Sequence, residues 1–250
     1  MIADPEGTVL AMFAAFCRIG GCFMVLPGFG TMRVPMMVRL FVAIAVSFSV
    51  LPLMWDAIYP RVSEAGPGYI GIVGVELLIG TVIGLLARYY ALSLQFAGTV
   101  ISMMIGFNAM PANGIDENEP QTSLSALISF TGLLVLFLLD FHHLVIASLI
   151  DSYEFMPLGL DFDAQLALVS LTDTLVAAFR LILQLASPFI LYGLTFNLAV
   201  GLVNKLAPQI PIYFISLPFL LAGGLLLVYL GSNDFFRLFG AGFEPIFLGP

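Results

Sequence analysis

From Tyr69 to Phe107 the chain runs 39 residues without a proline and with only two charges, Glu76 and Arg88. No other stretch limits the fold as tightly. As one helix it would be ~58 Å long at 1.5 Å per residue, about twice the hydrocarbon core of a bilayer. It is therefore expected to be one long, bent or broken helix, or two helices. Small residues recur within it at four-residue spacing: Gly80 and Gly84, then Gly98, Ser102 and Gly106. That spacing lets another helix approach closely. It suits packing within the chain and a seam for neighbouring subunits equally.

The rest of the chain has the same character. Of 250 residues, 60% are hydrophobic and 10% charged, with mean hydropathy +1.07. Soluble domains carry about 25% charged residues, so the composition predicts an all-α, polytopic membrane protein and leaves no polar stretch long enough for a soluble domain. The net charge of −8 resides in short connectors, and eight basic residues exclude a nucleic-acid-binding surface. Cys17 and Cys22 lie in one apolar segment, where a helix would point them in different directions, so they read as packing residues. The first apolar run, Gly7–Leu26, follows Asp4 and Glu6 and has no basic region before it, so it is expected to be a retained helix and not a signal peptide.

About six long, partly kinked helices are expected: Gly7–Leu26, Met36–Trp55, Tyr69–Phe107, Leu124–Ile150, Asp173–Asn204 with a kink at Pro188, and Ile210–Gly231, followed by a short aromatic tail. Pro52 and the run Asp56–Gly68 read as a connector, and so does the acidic run Asp151–Gln165. Arg33 and Arg39, and later Lys205, mark their connectors as cytoplasmic by the positive-inside rule. Arg18 falls near the middle of the first helix, where a charge costs roughly 2.5–3.5 kcal/mol on insertion scales, so it should face protein or water, as a structural ion pair or by snorkelling.

One stretch breaks the pattern. Gly106–Thr122, GFNAMPANGIDENEPQT, joins two apolar segments and carries Pro111, Pro120, Gly106, Gly114, three asparagines and the acidic group Asp116, Glu117 and Glu119. Lipid rejects irregular backbone unless protein or water covers it. The acidic group does not match a calcium loop, because Pro120 stands where a third ligand belongs and the terminal Glu is missing. Asp140, His142 and His143 form the one cluster with catalytic side-chain types. On a continuous helix Asp140 and His143 would share a face and His142 would point elsewhere, and no third histidine exists for a catalytic zinc. No cofactor, metal or catalytic residue is expected. The segments show no inverted repeat of the kind found in secondary transporters. From the residues alone, a protein-conducting channel component and a self-contained solute transporter both remain open.

Three ordered blocks resemble the FliR family of flagellar and virulence export-gate proteins. They are Pro27-Gly28-Phe29-Gly30 with Val34-Pro35 and Arg39; Phe141-His142-His143-Leu144 through Asp151-Ser152 to Pro157-Leu158-Gly159; and Asn197 through Gly201 and Lys205 to Gln209. The resemblance implies a non-enzymatic subunit of the bacterial inner membrane and flagellar basal body, surrounded by membrane lipid. It would assemble with FliP-like, FliQ-like and FlhB-like subunits and pass unfolded flagellar protein substrates. It also implies a FliP-like part, 1–172, followed by a FliQ-like helical hairpin with a short tail, 173–250. The family's pore-closing loop maps onto 106–122, with Gly106, Phe107, Asn108, Met110, Pro111, Asn113, Gly114, Asp116, Glu117 and Glu119 as plug residues. Arg18, Glu76, Arg88, Arg180, Lys205 and Gln209 become candidates for contacts with other subunits.

Overall fold

The computed structural model describes residues 4–30, 34–64, 66–107, 111–113, 120–159 and 162–248. Eight α-helices carry almost all of them: α1 Pro5–Val25, α2 Met36–Glu64, α3 Tyr69–Met104, α4 Ser123–Leu138, α5 Phe141–Phe155, α6 Ala164–Leu206, α7 Ile212–Ala241 and α8 Pro245–Leu248. Two three-residue strands, β1 Pro111–Asn113 and β2 Pro120–Thr122, pair antiparallel between α3 and α4, with Ala112 opposite Gln121. By length and composition α1, α2, α3, α6 and α7 can each cross a membrane, and α4 with α5 forms a sixth, bent candidate. The fold is that of a polytopic helical membrane protein.

The long proline-free stretch is one unbroken helix, α3, of 36 residues, about 54 Å at 1.5 Å per residue. Three helices extend well beyond the boundaries expected. α2 continues through Pro52 and Pro60 to Glu64, so most of the expected connector at 56–68 is helical. α6 begins at Ala164 and α7 ends at Ala241, each about ten residues beyond the expected boundary. A continuing helix keeps its N–H and C=O groups paired, which in apolar surroundings outweighs a bond lost at proline or a few polar side chains. The Leu124–Ile150 segment does the reverse. It breaks at Asp140, which adopts a left-handed backbone (φ 55°), and α4 and α5 meet at a 64° bend.

The chain forms two compact units, interleaved along the sequence. The first comprises 1–89, 137–175 and 243–250, and the second 90–136 and 176–242. In the first, α1 presents a face of small residues (Gly7, Ala11, Ala14, Gly21 and Cys22) at three- and four-residue spacing around Arg18, all buried. α3 lies directly against it. A Cβ on Gly84 would come within 2.7 Å of the Cys22 carbonyl, one on Gly21 within 2.7 Å of the Leu77 carbonyl, and one on Gly80 would overlap the Arg18 carbonyl. In the second unit a Cβ on Gly98 would meet Ser125 Cα at 3.0 Å. The small-residue seam of α3 is thus used by the chain's own α1 and α4. Both cysteines are buried free thiols.

α1 starts at a well-made cap. Asp4 accepts the Gly7 N–H on Oδ1 (3.1 Å) and the Tyr59 hydroxyl on Oδ2 (3.0 Å), with Pro5 beginning the helix. The Gly7 N–H first, and the Tyr59 hydroxyl next, hold the Asp4 carboxyl below its usual range.

Two outcomes follow from this packing. Gly80→Ala should destabilise the protein by about 1–3 kcal/mol through overpacking. Gly74→Ala, with nothing within 4 Å of the added methyl, should be neutral to stabilising by up to about 1 kcal/mol, because alanine is the better helix former; thermal unfolding in detergent compares the two. At Asp4 the depressed folded value means its contribution is complete above the unfolded value of about 3.9 and disappears as pH falls through the lower folded value. Asp4→Asn retains a capping oxygen but does not titrate there. The wild-type unfolding midpoint should therefore fall relative to Asp4→Asn below about pH 4, and parallel curves would remove Asp4 from the acid response.

Candidate functional site

The polar stretch between α3 and α4 is held at its base by a dense set of contacts in the second unit. α3 ends in a Schellman arrangement: the Phe107 N–H donates to the Ser102 carbonyl (2.8 Å) and the Gly106 N–H to the Met103 carbonyl (3.3 Å), with Gly106 at φ +75°. Gly106 faces Leu217 and Leu220 of α7, where an added Cβ would touch side chains at 3.4 and 3.5 Å. Met104 and Ile105 meet Gly193 of α6 and Gly224 of α7. The returning strand enters α4 through Thr122, whose Oγ1 accepts the Ser125 N–H (3.2 Å) and donates to Ser102 Oγ (2.7 Å). Ser102 in turn donates to the Gly98 carbonyl, and Ser125 to the Gln95 carbonyl.

Both ends of the stretch are therefore stapled to the same two turns of α3. Gly106 and Phe107 lie at this base, and Pro111 and Asn113 lie in β1. Asn108, Met110, Gly114, Asp116, Glu117 and Glu119 lie outside the described residues. The sequence does not single out Thr122 or Ser125, and it marks Ser102 only as a small residue, because hydroxyl residues in an apolar run usually just bond the carbonyl a turn back.

The intramembrane charges resolve differently from one another. Arg18 and Glu76, candidates for contacts between subunits, are fully enclosed in the first unit and pair with each other. Arg18 Nε donates to Glu76 Oε2 and Nη2 to Oε1, both at 2.7 Å, a bidentate pair. Nη1 donates to Ser152 Oγ (2.8 Å) and Nη2 also to the Met156 carbonyl (3.0 Å). The Tyr153 hydroxyl donates to Glu76 Oε2 (3.0 Å), and its ring lies 3.6 Å from the guanidinium carbon. With four donor contacts made inside the chain, little remains to offer a partner. Tyr153 and Ser152 carry no sequence signal for this role, since only the folding of α5 against α1 and α3 brings them there. Arg88 is half-buried, whereas Arg180, Lys205 and Gln209 are exposed.

At the α4–α5 break the structure corrects a helix-based expectation. Asp140 belongs to no helix, and His142 does not point away: candidate ligand atoms of Asp140, His142 and His143 all lie within 4.8 Å of one another. His143 Nδ1 is 3.6 Å from Asp140 Oδ1.

The helices that can cross a membrane define a polytopic helical membrane protein, and similarity to known proteins says of which family. The family described as bacterial export proteins, family 1, matches residues 9–246. The flagellar biosynthetic protein FliR of Caulobacter vibrioides is 33% identical over 218 residues, covering 87% of this chain and 86% of the relative. FliR of Aquifex aeolicus is 27% identical over 94% of each chain, and FliR of Escherichia coli 27% identical over 78% of this chain and 74% of its own. The chain belongs to the FliR family of flagellar export membrane proteins.

Removing one member of the Arg18–Glu76 pair strands a buried charge. Arg18→Met or Glu76→Leu alone should each destabilise by about 3–5 kcal/mol, whereas the double variant should recover much of the loss, because a buried pair replaced by apolar groups is often neutral. Thermal unfolding of the three variants measures this; a double variant no better than the singles would show that the pair does more than cancel charge.

Proposed function

We propose that the protein is a non-enzymatic, pore-forming subunit of the flagellar type III export gate in the bacterial inner membrane, assembling with FliP-like, FliQ-like and FlhB-like subunits to pass unfolded flagellar proteins. Loop 106–122 helps close the pore. The observation that carries this reading is the construction of the loop base: Gly106 and Phe107 cap α3 at one end, Thr122 bonds Ser102 of α3 at the other, and Gly106 lies against α7. Irregular backbone at such a place is tolerated where protein or a wet lumen covers it. A base fixed at both ends suits a stopper that yields to cargo and returns.

The division into a FliP-like part, 1–172, and a FliQ-like hairpin, 173–250, belongs to the same proposal. It is supported by α6 and α7 folding back on each other, with the Tyr192 hydroxyl donating to the Phe219 and Leu220 carbonyls and a Cβ on Gly223 overlapping the Tyr192 hydroxyl. Broad apolar faces remain exposed on both helices, including Leu191, Leu194, Leu198, Phe214, Phe219 and Tyr229, a surface for lipid or for other helices. Arg88, Arg180, Lys205 and Gln209 remain the proposed contacts with other subunits. Arg18 and Glu76 leave that set.

Deletion of the gene should abolish export of flagellar subunits, and the tagged protein should co-purify with FliP-like and FliQ-like proteins. Shortening 108–121 should leave that assembly intact and make the membrane leaky to small ions, measured as dye or ion flux in cells. A shortened form as tight as wild type would end the closing role. Ligand-dependent uptake by the purified protein alone in liposomes would favour a solute transporter instead.

A further inference from the structure

We propose that Asp140, His142 and His143, at the break between α4 and α5, form a binding site for a divalent transition-metal ion. Three observations carry this. The first is proximity: one ligand-type atom from each residue falls in a cluster no wider than 4.8 Å. Ligand atoms about 2.1 Å from a common ion lie at most about 4.2 Å apart, so a small side-chain adjustment closes the set. The second is the backbone. Asp140 is the one non-glycine residue with positive φ among the described residues. That conformation is uncommon outside Gly, Asn and Asp, and it turns the carboxylate onto the first turn of α5, where a continuous helix would have separated it from His142. The third is an unused atom: Nδ1 of His142 is enclosed and has no hydrogen-bond partner among the described residues. A buried imidazole nitrogen left in this way is costly, and coordination is one way to use it.

The donor set indicates the class of ion. Two imidazoles and a carboxylate suit zinc, cobalt, nickel or copper, whereas magnesium and calcium prefer oxygen ligands. Asp140 and His143 are largely exposed, 70% and 73% by side chain, so water would complete the coordination and the ion would exchange with solvent. A bound ion would tie the residue at the break to the first turn of α5.

The chain holds only two histidines, both in this cluster, which makes the test specific. The full-length protein, purified in detergent without a histidine tag, is titrated with cobalt(II) by visible absorption and with zinc(II) by calorimetry. One equivalent should bind and raise the unfolding temperature saturably, with no competition from millimolar magnesium or calcium. His142→Asn, His143→Asn and Asp140→Asn should each weaken binding by at least the roughly 10–100-fold typical of losing even an outer-shell partner. Absence of a one-to-one complex with the wild-type protein overturns the site, and so does binding that survives both histidine substitutions. The wild-type stoichiometry is measured without any variant, so it decides the question even where a variant fails to fold. Loss of flagellar export is not a readout here, so the result stands apart from the gate assignment.

Discussion

A guanidinium inside an apolar helix is tolerated only when its donors are used, and the first compact unit is arranged around using those of Arg18. The bidentate contact needs Glu76 opposite it, so α3 must lie close to α1. That approach is allowed by Gly80 and Gly84 on one helix and Gly21 on the other, where backbone meets backbone. The remaining donors are taken by Ser152 and the Met156 carbonyl, and Tyr153 covers the guanidinium face and bonds the carboxylate. The end of α5 is thereby placed as well. A buried pair of this kind is weak as a source of stability, because desolvating both charges offsets their attraction. Its effect here is on arrangement: any packing that separates these three helices leaves a bare charge inside.

The second unit faces the opposite problem, a polar, proline-containing segment that must leave and re-enter helical structure without orphaned backbone. α3 closes its own end with the Gly106 cap, and Thr122 opens α4 by accepting a backbone N–H while bonding Ser102. Both junctions are satisfied by hydrogen bonds to α3 and α4 themselves.

Much of the architecture was legible in the residues. The apolar runs located every long helix, and the absence of proline and of all but two charges marked Tyr69–Phe107 as exceptional, which α3 bears out as a single helix. Boundaries were less legible, because hydropathy records where lipid or protein surrounds a segment and not where its hydrogen bonds stop. The helical turns after Trp55 and after Gly231 are polar or proline-bearing yet stay helical. The break at Asp140 was less legible: Asp140, His142 and His143 interrupt the apolar run of Leu124–Ile150, but residue type does not say that the backbone turns left-handed there, which is a choice of the packed fold. The same break brings His142 beside Asp140 and His143, against the expectation from uninterrupted helical spacing.

The class of molecule follows from residue type and order alone. Hydropathy, scarcity of charge, one conspicuous polar insertion and ordered motif blocks suffice for a helical membrane protein of the FliR family, whatever the packing. The partners of individual side chains do not follow in that way. Arg18 and Glu76 could have faced lipid headgroups, water or another subunit, and the small residues of α3 could have served a neighbouring chain. The three-dimensional fold assigned both to contacts within the chain, because whether a charge or a glycine is free to meet a partner depends on which helices have already closed over it.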